Sequence, residues 1–99
     1  MDLDTLRASL DDAEPPAQLS SELLVLWHER AGNWDRAHDI VNDLPDPDGA
    51  WLHAYLHRRE GDLSNADYWY RRAGKKRPSF DMDEEWATLC EHFSRSRKA

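Results

Sequence analysis

The chain is short of several things, and each shortage narrows what it can be. It has one cysteine in 99 residues, so no internal disulfide can form. That residue, Cys90, falls in the helical spacing Trp86, Leu89, Cys90, Phe93, which predicts a buried, inert thiol rather than a reactive one. There are only four glycines and no glycine-rich loop of the kind that cradles phosphate. No Ser/His/Asp or Cys/His signature stands in a recognisable local context, so no enzyme and no cofactor is expected. No run approaches the roughly 18 apolar residues that a membrane span needs. The opening "MDLDTLRASLDDAE" is acidic and lacks a basic region followed by an apolar core, which argues against a secretory leader and for a cytoplasmic protein. Basic residues are scarce in the first half. Residues 1–49 carry 12 acids against 3 Lys/Arg, net −9, whereas residues 50–99 carry 8 against 10, net +2. The resulting −7 makes a poor generic binder of nucleic acid, whose phosphates are held by accumulated positive charge.

What is present is a single-domain composition with an internal repeat. Hydrophobic residues make up 39% of the chain and five are Trp, enough for one thin core. Laying "LLVLWHERAGNWDRAHDIVNDL" (23–44) over "LHAYLHRREGDLSNADYWYRRA" (52–73) needs no gap at a spacing of 29 residues. Gly32 meets Gly61, Asn33 meets Asp62, Ala37 meets Ala66, and His28 meets His57. Each copy is an apolar segment, a Gly-Asn or Gly-Asp turn, and a second apolar segment, which together read as a helical hairpin. Gly ends the first helix in a left-handed conformation, and the small Ala lets the paired helices approach. In "LSNADYWYRRAGKKRP" (63–78) Ala66, Trp69, Tyr70 and Ala73 share one helical face, so Trp69 and Tyr70 are expected in the core. Rings that point inward cannot stack on bases, which weakens a nucleic-acid reading of the seven Lys/Arg in residues 58–77.

These residues carry a resemblance. Trp34, Ala37 and Val41 in the first copy, and Leu63, Ala66, Tyr70, Ala73 and Pro78 in the second, resemble the tetratricopeptide helical repeat. "NADYWYRRAG" is also similar to the Sel1-like variant. The resemblance spans about residues 20–78 and departs in its 29-residue spacing. It implies an all-α, right-handed array of helical hairpins. Two hairpins need covers at both ends, and both termini offer one. "LDTLRASLDDAE" has Leu3, Leu6 and Leu10 at helical spacing before Pro15-Pro16, and "SFDMDEEWATLCEHF" carries the Trp86 stripe. The expected single domain, 1–99, therefore has an N-terminal capping helix (1–16), hairpins at 20–45 and 48–78, and a C-terminal capping helix (80–95). Six helices are expected, near 2–13, 20–31, 34–44, 48–60, 64–74 and 81–94, with the final "SRSRKA" fraying.

The resemblance also implies where a partner docks: on the concave face made by the first helix of each hairpin. Glu22, Leu26, Glu29 and Arg30 line it in the first hairpin, and Trp51, Leu52, Tyr55, Arg58 and Arg59 in the second. The candidate partner-binding set is Trp51, Tyr55, Arg58 and Arg59, supported by Leu26 and Arg30. Rings supply contact area at low entropy cost, and guanidinium clamps a carboxylate. The competing reading has the terminal helix packing on this face, and sequence leaves both open. The expected function is a non-enzymatic adaptor for a protein or peptide. One alternative is a structural subunit that self-assembles head to tail between its acidic and basic ends. The other is a metal-binding helical protein. His53 and His57 stand four apart on one helix, and His28 occupies the matching place in the neighbouring copy, so the three are candidate metal ligands.

Overall fold

The computed structural model describes residues 2–96, and among them the chain is all-helical: α1 (Leu3–Ser9), α2 (Ser21–Arg30), α3 (Trp34–Val41), α4 (Asp48–Arg59), α5 (Leu63–Arg72) and α6 (Met82–Ser96). The repeat is visible in the turns. Gly32 (φ +95°) and Gly61 (φ +90°) take left-handed backbone. Around them the same two hydrogen bonds recur: Gly32 N–H to Glu29 O and Asn33 N–H to His28 O, then Gly61 N–H to Arg58 O and Asp62 N–H to His57 O. This double closure satisfies carbonyls that a helix end would leave bare. The next residue starts the second helix. Asn33 accepts from Arg36 N–H, and Asp62 from Asn65 N–H, each an N-cap. Ala37 and Ala66 are fully buried where α2 meets α3 and α4 meets α5.

Several helix ends differ from the expected ones for local reasons. α1 stops at Ser9 rather than near residue 13, because Asp11, Asp12 and Glu14 would place three acids against the negative end of the helix dipole. α3 stops at Val41, and Asp43 and Leu44 tighten into three-residue bonds to Ile40 O and Val41 O before Pro45 bars continuation. Asp81 caps α6 by accepting from Glu84 N–H, and α6 runs on through Ser96. The fraying expected for "SRSRKA" (94–99) does not begin at Ser94, since residues 94–96 continue α6; residues 97–99 lie outside the described residues. Gly49 near the start of α4 packs so closely on the Leu44 carbonyl that a Cβ there would collide with it.

The main core joins α1, α2, α3, α4 and α6, with Leu6, Leu23, Val25, Leu26, Trp27, Tyr55, Leu56, Trp86, Leu89 and Phe93 buried in it. α5 packs on α4 through a small separate cluster of Ala54, Ala66 and Tyr70. Tyr70 is buried as expected, but Trp69 is only half-buried. α6, which follows α5, packs on α1, α2 and α4, so the outer side of α5 faces water. Cys90 is buried in the α6 stripe, and burial pushes its thiol up to about 12, leaving negligible thiolate at neutral pH.

Candidate functional site

α4 has two chemically different sides. On the side facing α2 lies the expected docking face, and α6 covers it. The Trp86 indole N–H donates to Leu26 O at 3.0 Å, across 60 residues of sequence. Leu26 and Tyr55 have no exposed surface. Trp51 is half-buried against His92 and Phe93 of α6, with Lys75 Nζ 4.1 Å from its ring centroid. The arginines meet carboxylates of this same chain. Arg58 Nη1 donates to Glu85 Oε1 at 2.8 Å, and its Nη2 to Phe80 O at 2.7 Å. Arg30 pairs with Asp83 at 2.9 Å and lies 4.7 Å from the Trp86 ring. Arg59 pairs with Glu29 at 2.8 Å.

Two tyrosines complete the arrangement. The Tyr55 hydroxyl donates to Glu29 Oε1 at 2.7 Å, and the Tyr70 hydroxyl to Glu85 Oε2 at 2.5 Å. The result is two similar triads, Tyr55–Glu29–Arg59 and Tyr70–Glu85–Arg58. Burial, reinforced by the adjacent carboxylate, raises both hydroxyls well above the ordinary tyrosine range. Glu85 escaped sequence reasoning as a site residue. It sits among the acids of a helix first turn, a place where acids are ordinary.

On the opposite side, facing α3 and α5, three imidazoles converge: His38, His53 and His57. Their ring centroids lie 5.2 Å (His38–His53), 5.6 Å (His38–His57) and 6.0 Å (His53–His57) apart. Indoles flank them. Trp34 stacks on His38 at 4.8 Å and meets His57 edge-on, while Trp69 stacks on His53 at 4.1 Å. Trp34 is fixed in turn by its N–H bond to Leu56 O. His53 Nδ1 is buried and lacks a hydrogen-bond partner. Burial, then the neighbouring His38 and His57, lower His53 to about 4, so it is neutral at pH 7. His57 Nδ1 lies 2.6 Å from Glu60 Oε2.

The third histidine is His38, where His28 was expected. Equivalent positions in tandem repeats are displaced by the repeat itself, so His28 and His57 play the same part in different hairpins and do not meet. His28 instead packs edge-on against Trp27, its basicity lowered by burial and then by Arg36. Convergence needs non-equivalent positions across the α3–α4 boundary. One signal was present: His38 lies four residues after Trp34, on the edge of the inward face of α3.

The basic cluster at the end of α5 and just beyond it is partly spent within the chain. Arg72 pairs with Asp46 at 2.6 Å and Arg77 with Asp67 at 3.2 Å. Among the described residues no helix is long and apolar enough to cross a membrane. Comparison with family models, with curated proteins and with solved structures finds no match.

Proposed function

We propose that the chain is a non-enzymatic protein-interaction module of the tetratricopeptide or Sel1 kind, acting in the cytoplasm, whose α2–α4 face receives an amphipathic helix and whose resident occupant is its own α6. The observation that carries this reading is the way α6 is held. Its apolar stripe enters the groove at i, i+3, i+4 and i+7 through Trp86, Leu89, Cys90 and Phe93, the anchor spacing of helix-in-groove recognition. Its acids Asp83 and Glu85 engage Arg30 and Arg58, so the arginines bind anions as a docking face requires. A partner helix that displaces α6 presents the same chemistry: a large aromatic anchor with a carboxylate beside it. A protein or peptide fits this face better than nucleic acid, because the arginines already address carboxylates and the chain carries −7.

A second reading, self-assembly, rests on the connection to α6. Residues 73–81 have no helix, and this segment alone separates α5 from α6. A second copy's α6 would reproduce every contact of the first, the condition for exchange between protomers.

The test supplies a labelled peptide of residues 81–96 in trans. The wild-type chain should leave it free at micromolar concentration. A Trp86→Ala chain, with its own α6 loosened, should bind it, and Trp86→Ala/Arg58→Glu should not. If the loosened chain stays helical and still ignores the peptide, the groove is a sealed core and the docking reading is wrong. Mass that rises with concentration in the wild type would favour exchange between copies.

A further inference from the structure

We propose that His38, His53 and His57 form a three-histidine site for a divalent transition metal of the zinc class, backed by Glu60. The site is independent of the docking face, since it lies on the other side of α4.

The geometry comes first. One ring nitrogen from each histidine lies within 4.8 Å of the other two. Three imidazoles holding zinc tetrahedrally at roughly 2.0–2.1 Å place their donor nitrogens about 3.3 Å apart and their ring centroids about 5.2 Å apart. The observed centroid separations of 5.2, 5.6 and 6.0 Å are within about 1 Å of that arrangement, a gap that small χ adjustments close. His53 and His57 are four apart on α4, so both rings leave the helix on one side. Their planes are within 8° of parallel, so one ring turns about χ2, a broad torsion for His, to bring an ion into both ring planes.

Valence is the second observation. A buried polar atom without a partner is costly and rare. His53 is 8% exposed and its Nδ1 has no partner. Packing alone does not explain this, because an apolar ring would stack on Trp69 without the penalty. A metal satisfies a nitrogen that has a lone pair to give, and metal binding needs neutral imidazole.

The surroundings fit as well. Glu60 accepts from His57 Nδ1–H at 2.6 Å, which fixes that tautomer and leaves Nε2 as the donor atom; a carboxylate behind a ligating histidine is the common support of such sites. Trp34 and Trp69 stack on His38 and His53 and hold those rings in place. His38 is only half-buried and so is the side from which an ion enters. Three nitrogen donors without thiolate suit Zn²⁺, Cu²⁺ or Ni²⁺ rather than Ca²⁺ or Mg²⁺. Three protein ligands leave a fourth position for water or a ligand atom.

The experiment uses the untagged full chain, stripped with a chelator and titrated with Zn²⁺ against a chromophoric competitor. The wild type should bind one equivalent at submicromolar dissociation constant and melt higher with metal. Ni²⁺ or Cu²⁺ should quench part of the Trp fluorescence through Trp34 and Trp69. His38→Ala should weaken binding at least about 100-fold, and Glu60→Gln about 10- to 100-fold. His28→Ala and His92→Ala should leave it unchanged. If His38→Ala does not fold, as judged by circular dichroism, His38→Asn takes its place. No stoichiometric binding by the wild type overturns the proposal. So does equal affinity in the wild type and the His38 variant, or a loss on changing His28.

Discussion

The two sides of α4 are both crowded with polar groups, yet they differ in what they leave unpaired. Toward α2 and α6, each oxygen of Glu29 and Glu85 has its own donor: Tyr55 and Arg59 for one, Arg58 and Tyr70 for the other. Toward α3 and α5, Glu60 bonds His57 alone of the three imidazoles, and His53 Nδ1 has no partner. Buried Arg30 Nε and Nη2 also lack partners on the α6 side, but they are N–H donors lying over the Trp86 ring and have no lone pair to give an ion. The carboxylates of that side are fully engaged and hold the elements together. A lone pair left without a partner either costs stability or awaits something. The contrast separates the part of α4 that holds α6 in place from the part able to bind an ion.

The contrast breaks first, and hardest, at Glu85. Glu85→Ala leaves Arg58, whose side chain is 14% exposed, without its carboxylate, and it frees the Tyr70 hydroxyl as well. Removing one partner of a buried pair costs about 3–5 kcal/mol, a large share of the roughly 5–15 kcal/mol that stabilises a domain. The urea midpoint should fall accordingly, with α6 detaching first. Glu29→Ala should cost less, about 1–3 kcal/mol. Its arginine, Arg59, is 37% exposed and can turn to water, which leaves mainly the Tyr55 hydroxyl unpaired. Equal losses would mean that exposure of the arginine is irrelevant here.

Alkali tests the same side without mutation. Tyr55, Tyr70 and Cys90 all have raised native values. In each case the unfolded chain releases its proton at lower pH than the native one. The stability from these groups is therefore complete below about pH 9 and is lost as pH climbs, Cys90 first and the tyrosines from about pH 10. Linkage at about 1.4 kcal/mol per pH unit per fully titrating group gives a loss of about 2 kcal/mol between pH 9 and pH 10. A flat denaturation midpoint over that interval would mean that these hydroxyls and the thiol are solvated.

Much of the scaffold was legible because its instructions are local. Gly32-Asn33 and Gly61-Asp62 specify turn and cap within four residues, and Ala37 and Ala66 mark the close approach one turn later. That is why hairpins emerge from a 29-residue self-comparison. What was not legible depends on distance. Whether α6 covers the α2–α4 face or leaves it open turns on contacts such as Trp86 to Leu26, set by how residues 73–81 carry the chain across, and spacing along α6 says only that it has an apolar side. The histidine cluster was half legible for a related reason. His53 and His57 share a helix, so their convergence is local. Their third member comes from a neighbouring helix at a position the repeat does not equate with either, and matching by repeat register points to His28 instead.

The smallest expected effect is the most discriminating. In the metal-free chain, His53→Leu removes a ring stacked on Trp69 at 4.1 Å, worth about 0.5–1.5 kcal/mol as an aromatic contact. It also removes the unpartnered Nδ1, whose burial costs about 1–3 kcal/mol. Leu is close in volume and apolar, so the site should repack without a cavity. The net change should lie between zero and about 1 kcal/mol of added stability, read from the urea midpoint with an unchanged slope. A stabilised chain that no longer binds Zn²⁺ is the behaviour of a residue kept for its ligand at the expense of the fold. A loss of 3 kcal/mol or more, on the scale of about 3–5 expected for Glu85, would make His53 a structural member of a completed network, and the difference between the two sides of α4 would disappear.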